Sequence, residues 1–147
     1  MLYGVLGRSN KLWNDYDQTA LLPVIEIPPN ALIVVVEDDV FERIGASSMF
    51  LDAGYRVLEA ESADEALQFF ETNADIRLLF TDVSMPGSMS GSELAHQVAE
   101  RWPGVGIIMA SGRPRPHKLP LSMLFHDKPY EPTAVLRQAR EMTAQLG

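Results

Sequence analysis

Three apolar runs constrain the fold of this chain more than any other feature: ALIVVV (31–36), RLLF (77–80) and VGIIMA (105–110). Each is short, continuous and free of the alternation that marks a strand with one wet face, so each suits a strand buried on both sides of a parallel sheet. YRVLE (55–59) alternates more and suits an edge strand, and MLFH (123–126) offers a fifth. Between these runs lie segments with helical spacing. Val40, Ile44, Ser48 and Leu51 fall on one stripe, as do Ala63, Ala66, Leu67 and Phe70. The same holds for Leu94, Ala95, Val98 and Trp102, and for Val135, Leu136, Ala139 and Leu146. Ser62 with Glu65, and Ser90 with Glu93, have capping-box spacing, Asp39 with Glu42 is a variant of it, and Pro132 suits a first helical position.

Strands alternating with helices of this length predict βαβ units and an α/β, doubly wound, five-stranded parallel sheet. Right-handed crossovers leave few topologies, of which strand order 2-1-3-4-5 is a common one. The rhythm lacks one helix. Between Ala110 and Met123, Pro114, Pro116 and Pro120 leave room for at most one turn, so the fourth helix is expected to be short or absent. Residues 1–30 show no sustained period and close on Pro28, Pro29 and Asn30, which reads as an extension or linker ahead of one domain at 31–147. A short ordered piece is expected around LLPVIEI (21–27).

Charge and composition remove several function classes. A net charge of −8 argues against direct nucleic-acid binding, which needs clustered Lys and Arg. With no cysteine, a metal would have to be held by oxygen or imidazole. No apolar run reaches the roughly 18 residues of a membrane span, and no basic-then-apolar leader opens the chain. The expectation is a soluble, cytoplasmic domain without a membrane partner.

In an open α/β sheet, ligands bind beyond the carboxyl ends of the strands where strand order reverses. The first strand ends in Glu37, Asp38 and Asp39, the third in Asp82, the fourth in Ser111, and the fifth runs into Lys128. In the expected order, strands 1 and 3 are neighbours, so these carboxylates converge. Crowded carboxylates resist ionising together, and Mg²⁺ suits a site of a few carboxylates, a carbonyl and waters. Lys128 and Ser111 at the same rim offer a cation and a hydroxyl to an anion beside the metal. Taken singly, each has a bland reading: Asp39 is mainly a helix N-cap, Asp82 could cap a turn into Pro86 and Gly87, and most lysines are surface charges. Four strand ends carrying the groups of one mechanism outweigh those readings. His96, His117 and His126 have no ligand-like spacing, and no glycine-rich phosphate loop is present.

VVVEDD, TDVSMPG, ASG and DKPY, in that order and at those strand ends, resemble the receiver domain of two-component response regulators over about residues 31 to 146. The resemblance implies a flavodoxin-like fold. It also implies Glu37 and Asp38 as the acidic pair, with Asp38 the direct Mg²⁺ ligand, and Asp82 as phosphoacceptor. The backbone carbonyl of Ser84 would complete the metal's protein ligands. Ser111 takes the place of the switch hydroxyl, Phe125 of the switch aromatic and Lys128 of the phosphate-pairing lysine, with Pro129 typically following a cis bond. PGSMSG is one residue longer than the usual family loop before Gly91, and Phe125 lacks the hydroxyl of a tyrosine.

The function implied is that of a phosphoacceptor taking a phosphoryl group on Asp82 from a sensor histidine kinase or histidine phosphotransferase. Such a domain is not an enzyme in the usual sense, although Mg²⁺-dependent self-phosphorylation and autodephosphorylation are expected of it. A homodimer is compatible with this reading, but reduction of the fourth helix removes part of a face that the family uses. The alternative is a phosphorylation-independent adaptor with the same fold, against which the intact acidic pair, Asp82 and Lys128 all count. A metal-dependent phosphohydrolase would need a second aspartate two residues after the nucleophile, where Ser84 stands.

Overall fold

The computed structural model describes residues 30–115, 119 and 122–144. The elements are β1 (Leu32–Val36), α1 (Val40–Asp52), β2 (Arg56–Ala60), α2 (Ala63–Thr72), β3 (Ile76–Asp82), α3 (Gly91–Arg101), β4 (Gly106–Ser111), β5 (Leu124–Asp127) and α4 (Pro132–Ala144). All strand pairs are parallel, and the sheet runs β2-β1-β3-β4-β5. This is the expected 2-1-3-4-5 order. Every predicted strand lies within two residues of its expected bounds, and Pro132 opens α4.

The three apolar runs become the central strands, and alternation sends their side chains to two separate cores. Val34, Val36, Leu79 and Met109 face the layer of α2 and α3, where Ala66, Phe70, Leu94 and Val98 are buried. Ile33, Val35, Leu78, Phe80 and Ile108 face α1 and α4 through Ala46, Phe50, Val135 and Ala139. The second core is keyed by aromatic edges, with Phe50 at 5.3 Å from Phe80 and Phe80 at 5.4 Å from Tyr130 between ring centroids.

The structure corrects three expectations. The stripe foreseen for α1 is its wet face: Val40, Ile44 and Leu51 are 45, 51 and 52% exposed, Ser48 is exposed with them, and Phe41 beside them is 82% exposed. Its buried face is instead Ala46, Ser47 and Phe50, with Arg43 alongside. Small residues let the helix sit close to the sheet, while Arg43 stays satisfied by donating to the Glu37 carbonyl at 2.8 Å and pairing with Glu59 at 3.3 Å. Capping is also more varied than the spacing suggested. Ser90 and Glu93 form the full reciprocal box, but Glu65 accepts from the Glu61 N–H at 2.8 Å rather than from Ser62, and Glu42 leaves its cap altogether. Third, Ala60 extends the edge strand β2 one residue beyond its expected end, placing that buried residue beside Val36.

Between β4 and β5 the described residues form no helix, as the prolines predicted. The expected extension up to residue 29, its LLPVIEI piece, Leu146 and His117 lie outside the described residues.

Candidate functional site

Strand register assembles the site. Val36 stands beside Thr81 and Asp82 beside Ala110, so the residues just past β1 meet the end of β3 at the carboxyl edge of the sheet. Ser111 stands beside Asp127, which brings the residue after β5, Lys128, to the same rim. The Lys128 N–H donates to the Ser111 carbonyl at 2.9 Å, and the Lys128–Pro129 peptide is cis.

Glu37, Asp38 and Asp82 each present a carboxylate oxygen within 4.8 Å of the others. Glu37 is buried, Asp82 half-buried and Asp38 exposed. Such an all-oxygen donor set, open on one side, fits a hard divalent cation that keeps several waters. Asp39 stays out of the cluster, as its sequence position foretold. Its carboxylate accepts from the N–H groups of Phe41 and Glu42 at 2.9 and 3.0 Å and starts α1. Its own N–H donates to Glu37 Oε2 at 3.2 Å, which fixes that side chain from below.

Asp82 is held on several sides. Its Oδ1 accepts from the Val83 N–H at 2.7 Å, and its carbonyl accepts from the Thr81 hydroxyl at 2.8 Å. The start of α3 lies against that carbonyl so closely that only glycine fits at position 91, where a Cβ would sit 1.6 Å from the oxygen. Ser84 follows on the exposed loop, and Gly87 turns it with φ of 121°.

Lys128 supplies the positive charge. Its Nζ donates to Glu42 Oε1 at 2.5 Å and Glu37 Oε1 at 2.9 Å, and lies 3.5 Å from Asp82 Oδ2. Burial alone would lower its pKa, but the hydrogen bonds to Glu42 and Glu37 and the nearby Asp82 charge outweigh it, so the ammonium is held well above its ordinary range. Burial pushes the Glu37 carboxyl up despite the lysine bond. The two directions are compatible: Lys128 answers to three carboxylates, whereas Glu37 answers to one cation and to the repelling charge of Asp82.

Of the remaining expected residues, Ser111 is buried at the end of β4 with its hydroxyl accepting from the Arg113 N–H at 3.1 Å. Phe125 stands beside Met109 on β5, half-buried against the core of the α2 and α3 side. His126 pairs with Gln138 at 2.6 Å and His96 with the Ser92 carbonyl at 2.8 Å, away from the acidic cluster. Sequence reasoning missed Glu42 and Arg43. Glu42 lies four residues beyond Asp38, one helical turn along, and that spacing was the available signal.

Residues 33–119, more than half of the chain, match the family model of the response regulator receiver domain. The chain belongs to this receiver family. Receivers are signalling domains of two-component systems, and the five-stranded parallel fold is theirs. The chain is 31% identical over 88 residues to the sensor kinase CckA of Brucella abortus, covering 59% of this chain and 9% of that protein. It is 35% identical over 82 residues to the hydrogenase transcriptional regulatory protein HoxA of Cupriavidus necator, covering 56% of this chain and 16% of that one. The receiver thus spans under a fifth of the length of these curated relatives. The solved receiver domain of the hybrid histidine kinase CckA superposes with a TM-score of 0.65 at 27% identity, covering 77% of this chain and 99% of that structure. No helix among the described residues is long and apolar enough to cross a membrane.

Proposed function

We infer that this receiver accepts a phosphoryl group on Asp82 from a histidine kinase or histidine phosphotransferase. The observation that carries this reading is the meeting of Glu37, Asp38 and Asp82 within 4.8 Å, with the Lys128 ammonium 3.5 Å from Asp82. In the transfer, an Asp82 carboxylate oxygen forms a bond to phosphorus as the bond from phosphorus to the donor's imidazole nitrogen breaks. The bonding pair stays on that nitrogen, which regains a proton. Val83 N–H holds the carboxylate and the packed start of α3 holds the backbone that carries it, so little reorganisation is needed at the moment of reaction.

Glu37, Asp38, Asp82 and the Ser84 carbonyl are the groups that would hold Mg²⁺. When bound, the ion neutralises charge on the transferring group. Lys128 pairs with a phosphoryl oxygen, and Ser111 reaches the same group by giving up its Arg113 contact. Phe125, one strand over, then reports the change through its packing. Slow self-phosphorylation from small donors and hydrolysis of the acyl phosphate use the same residues. The signalling unit is residues 31–147, with 1–30 as an extension to it, and its setting is the cytoplasm, where kinase partners supply the phosphoryl group.

A donor must cover the rim around Asp82 to reach it. On one side of that rim, a hollow of about 460 Å³ lined by Glu42, Gly45, Ala46, Lys128, Pro129 and Tyr130 adjoins the exposed apolar face of α1. Such a face suits a helical protein donor better than a free metabolite.

Incubation with acetyl phosphate and Mg²⁺, followed by intact-mass measurement, tests the reading. One phosphoryl adduct is expected on the wild-type chain and none on Asp82→Asn. An unmodified wild-type chain supports the adaptor reading instead, and an adduct retained in the variant moves the acceptor elsewhere.

A further inference from the structure

Lys128 has more carboxylate partners than the acceptor chemistry requires. Glu37 and Asp82 belong to the strand ends, but its shortest contact, 2.5 Å, is to Glu42 in the first turn of α1. Asp82 is the most distant of the three at 3.5 Å. An ammonium has three N–H donors in tetrahedral array, so each carboxylate that holds it limits where the others can point. Glu42 needs no such bond for its own sake: half exposed, it is not called on to cap α1, because Asp39 does that. Its carboxylate is therefore spent on Lys128.

We propose that Glu42 is a positioning residue that draws the Lys128 ammonium toward α1, and that this contact must loosen when a phosphoryl group binds at Asp82. The proposal rests on the acceptor reading above. The phosphoryl oxygens compete with Glu42 for the same donor, so the contact sets how tightly the domain holds a phosphoryl group. It also ties the state of Asp82 to the first turn of α1, the element bearing the exposed Val40 and Phe41. Two effects of Glu42 act in the same direction, loss of a donor and repulsion between two anions. A shorter carboxylate separates them, since Glu42→Asp keeps the charge but draws it back by one methylene.

Beryllofluoride, a phosphoryl mimic that binds from solution without transfer from a donor, measures the balance. Its affinity in the presence of Mg²⁺ is expected to rise about 3- to 10-fold in Glu42→Gln, in keeping with a partly screened ion pair. Glu42→Asp should show most of this gain, whereas affinity for Mg²⁺ alone stays within about twofold in both variants. In the wild-type chain the ¹³C signal of the Glu42 carboxylate should shift on adding Mg²⁺ and beryllofluoride, which a residue that merely supports the helix would not show. Unchanged or weaker beryllofluoride binding in Glu42→Gln overturns the proposal while leaving the acceptor reading intact. A gain in Glu42→Gln that is absent in Glu42→Asp reduces Glu42 to a distant charge and overturns the contact. If the wild-type chain fails to bind beryllofluoride at all, the acceptor reading fails and the proposal falls with it.

Discussion

Substitution of Gly91 by alanine should strike the fold and the site together. Gly91 is the first residue of α3, and a Cβ there would lie 1.6 Å from the Asp82 carbonyl oxygen, 2.8 Å from its carbon and 2.9 Å from the Thr81 hydroxyl. Contacts of a real Cβ essentially never fall below 3.0 Å, and the two closest atoms are backbone of a central strand rather than a yielding side chain. Either α3 or the end of β3 must therefore move by more than an ångström. Overpacking costs about 1–3 kcal/mol and more where backbone must shift, against which alanine regains only about 0.4–1 kcal/mol of chain entropy. A net loss of about 3 kcal/mol is expected, equivalent to a melting temperature lower by about 10 °C in a domain of this size. Urea unfolding measures the loss, and the yield of acyl phosphate should fall because the displaced atoms carry Asp82. Gly45 provides the opposite control. It lies inside α1, where a Cβ would meet nothing within 4 Å, so Gly45→Ala should stabilise by about 0.5–1 kcal/mol. A Gly91→Ala variant within 0.5 kcal/mol of wild type would refute the packing argument.

Three further outcomes follow from other parts of the molecule. Ser47 is buried on α1 with no partner for its hydroxyl among the described residues, so Ser47→Ala should raise stability by about 1 kcal/mol in denaturant melts; a loss of that size would mean that the hydroxyl is satisfied. Asp38→Ala removes one of three clustered carboxylates and should weaken Mg²⁺ binding at least about tenfold by calorimetry, with unchanged affinity placing the ion elsewhere. Burial raises the Tyr130 hydroxyl above its ordinary 10.0, so above that pH the unfolded chain has lost a proton that the folded chain keeps, and stability falls as pH rises. Tyr130→Phe, which preserves the edge contact with Phe80, should make the fall above pH 10 shallower and leave stability near neutrality unaltered. An identical alkaline slope in the variant would remove Tyr130 from the account, and the raised Lys128 supplies the slope that remains.

The positions of the strands and the acids that end them were legible because they depend on short-range patterns, and their order because right-handed crossovers leave few topologies. Continuous apolar runs such as ALIVVV announce strands covered on both faces, and a carboxylate at the end of such a run has nowhere to go but the sheet edge. Ser90 with Glu93, Asp39 and Pro132 marked helix starts because capping is local chemistry between residues a few positions apart. The prolines at 114, 116 and 120 ruled out a full helix for the same kind of reason.

Where α1 turns its sides was not legible. Hydrophobicity pointed to Val40, Ile44 and Leu51, yet the sheet takes Ala46, Ser47 and Phe50. The choice depends on what the helix meets: Phe50 fits against Phe80 and Tyr55 at ring distances of 5.3 and 5.9 Å, and Arg43 finds the Glu37 carbonyl and Glu59. A stripe left in water by that choice is information only the assembled domain contains. The sequence by itself determined which residues could form strands, where helices begin and which acids end up at the carboxyl rim, since these follow from backbone periodicity and neighbours in the chain. Tertiary structure alone decided that Lys128, 86 residues away from Glu42, would find it before Asp82, because reach and direction of side chains across a rim are fixed only when the strands and helices that carry them are packed.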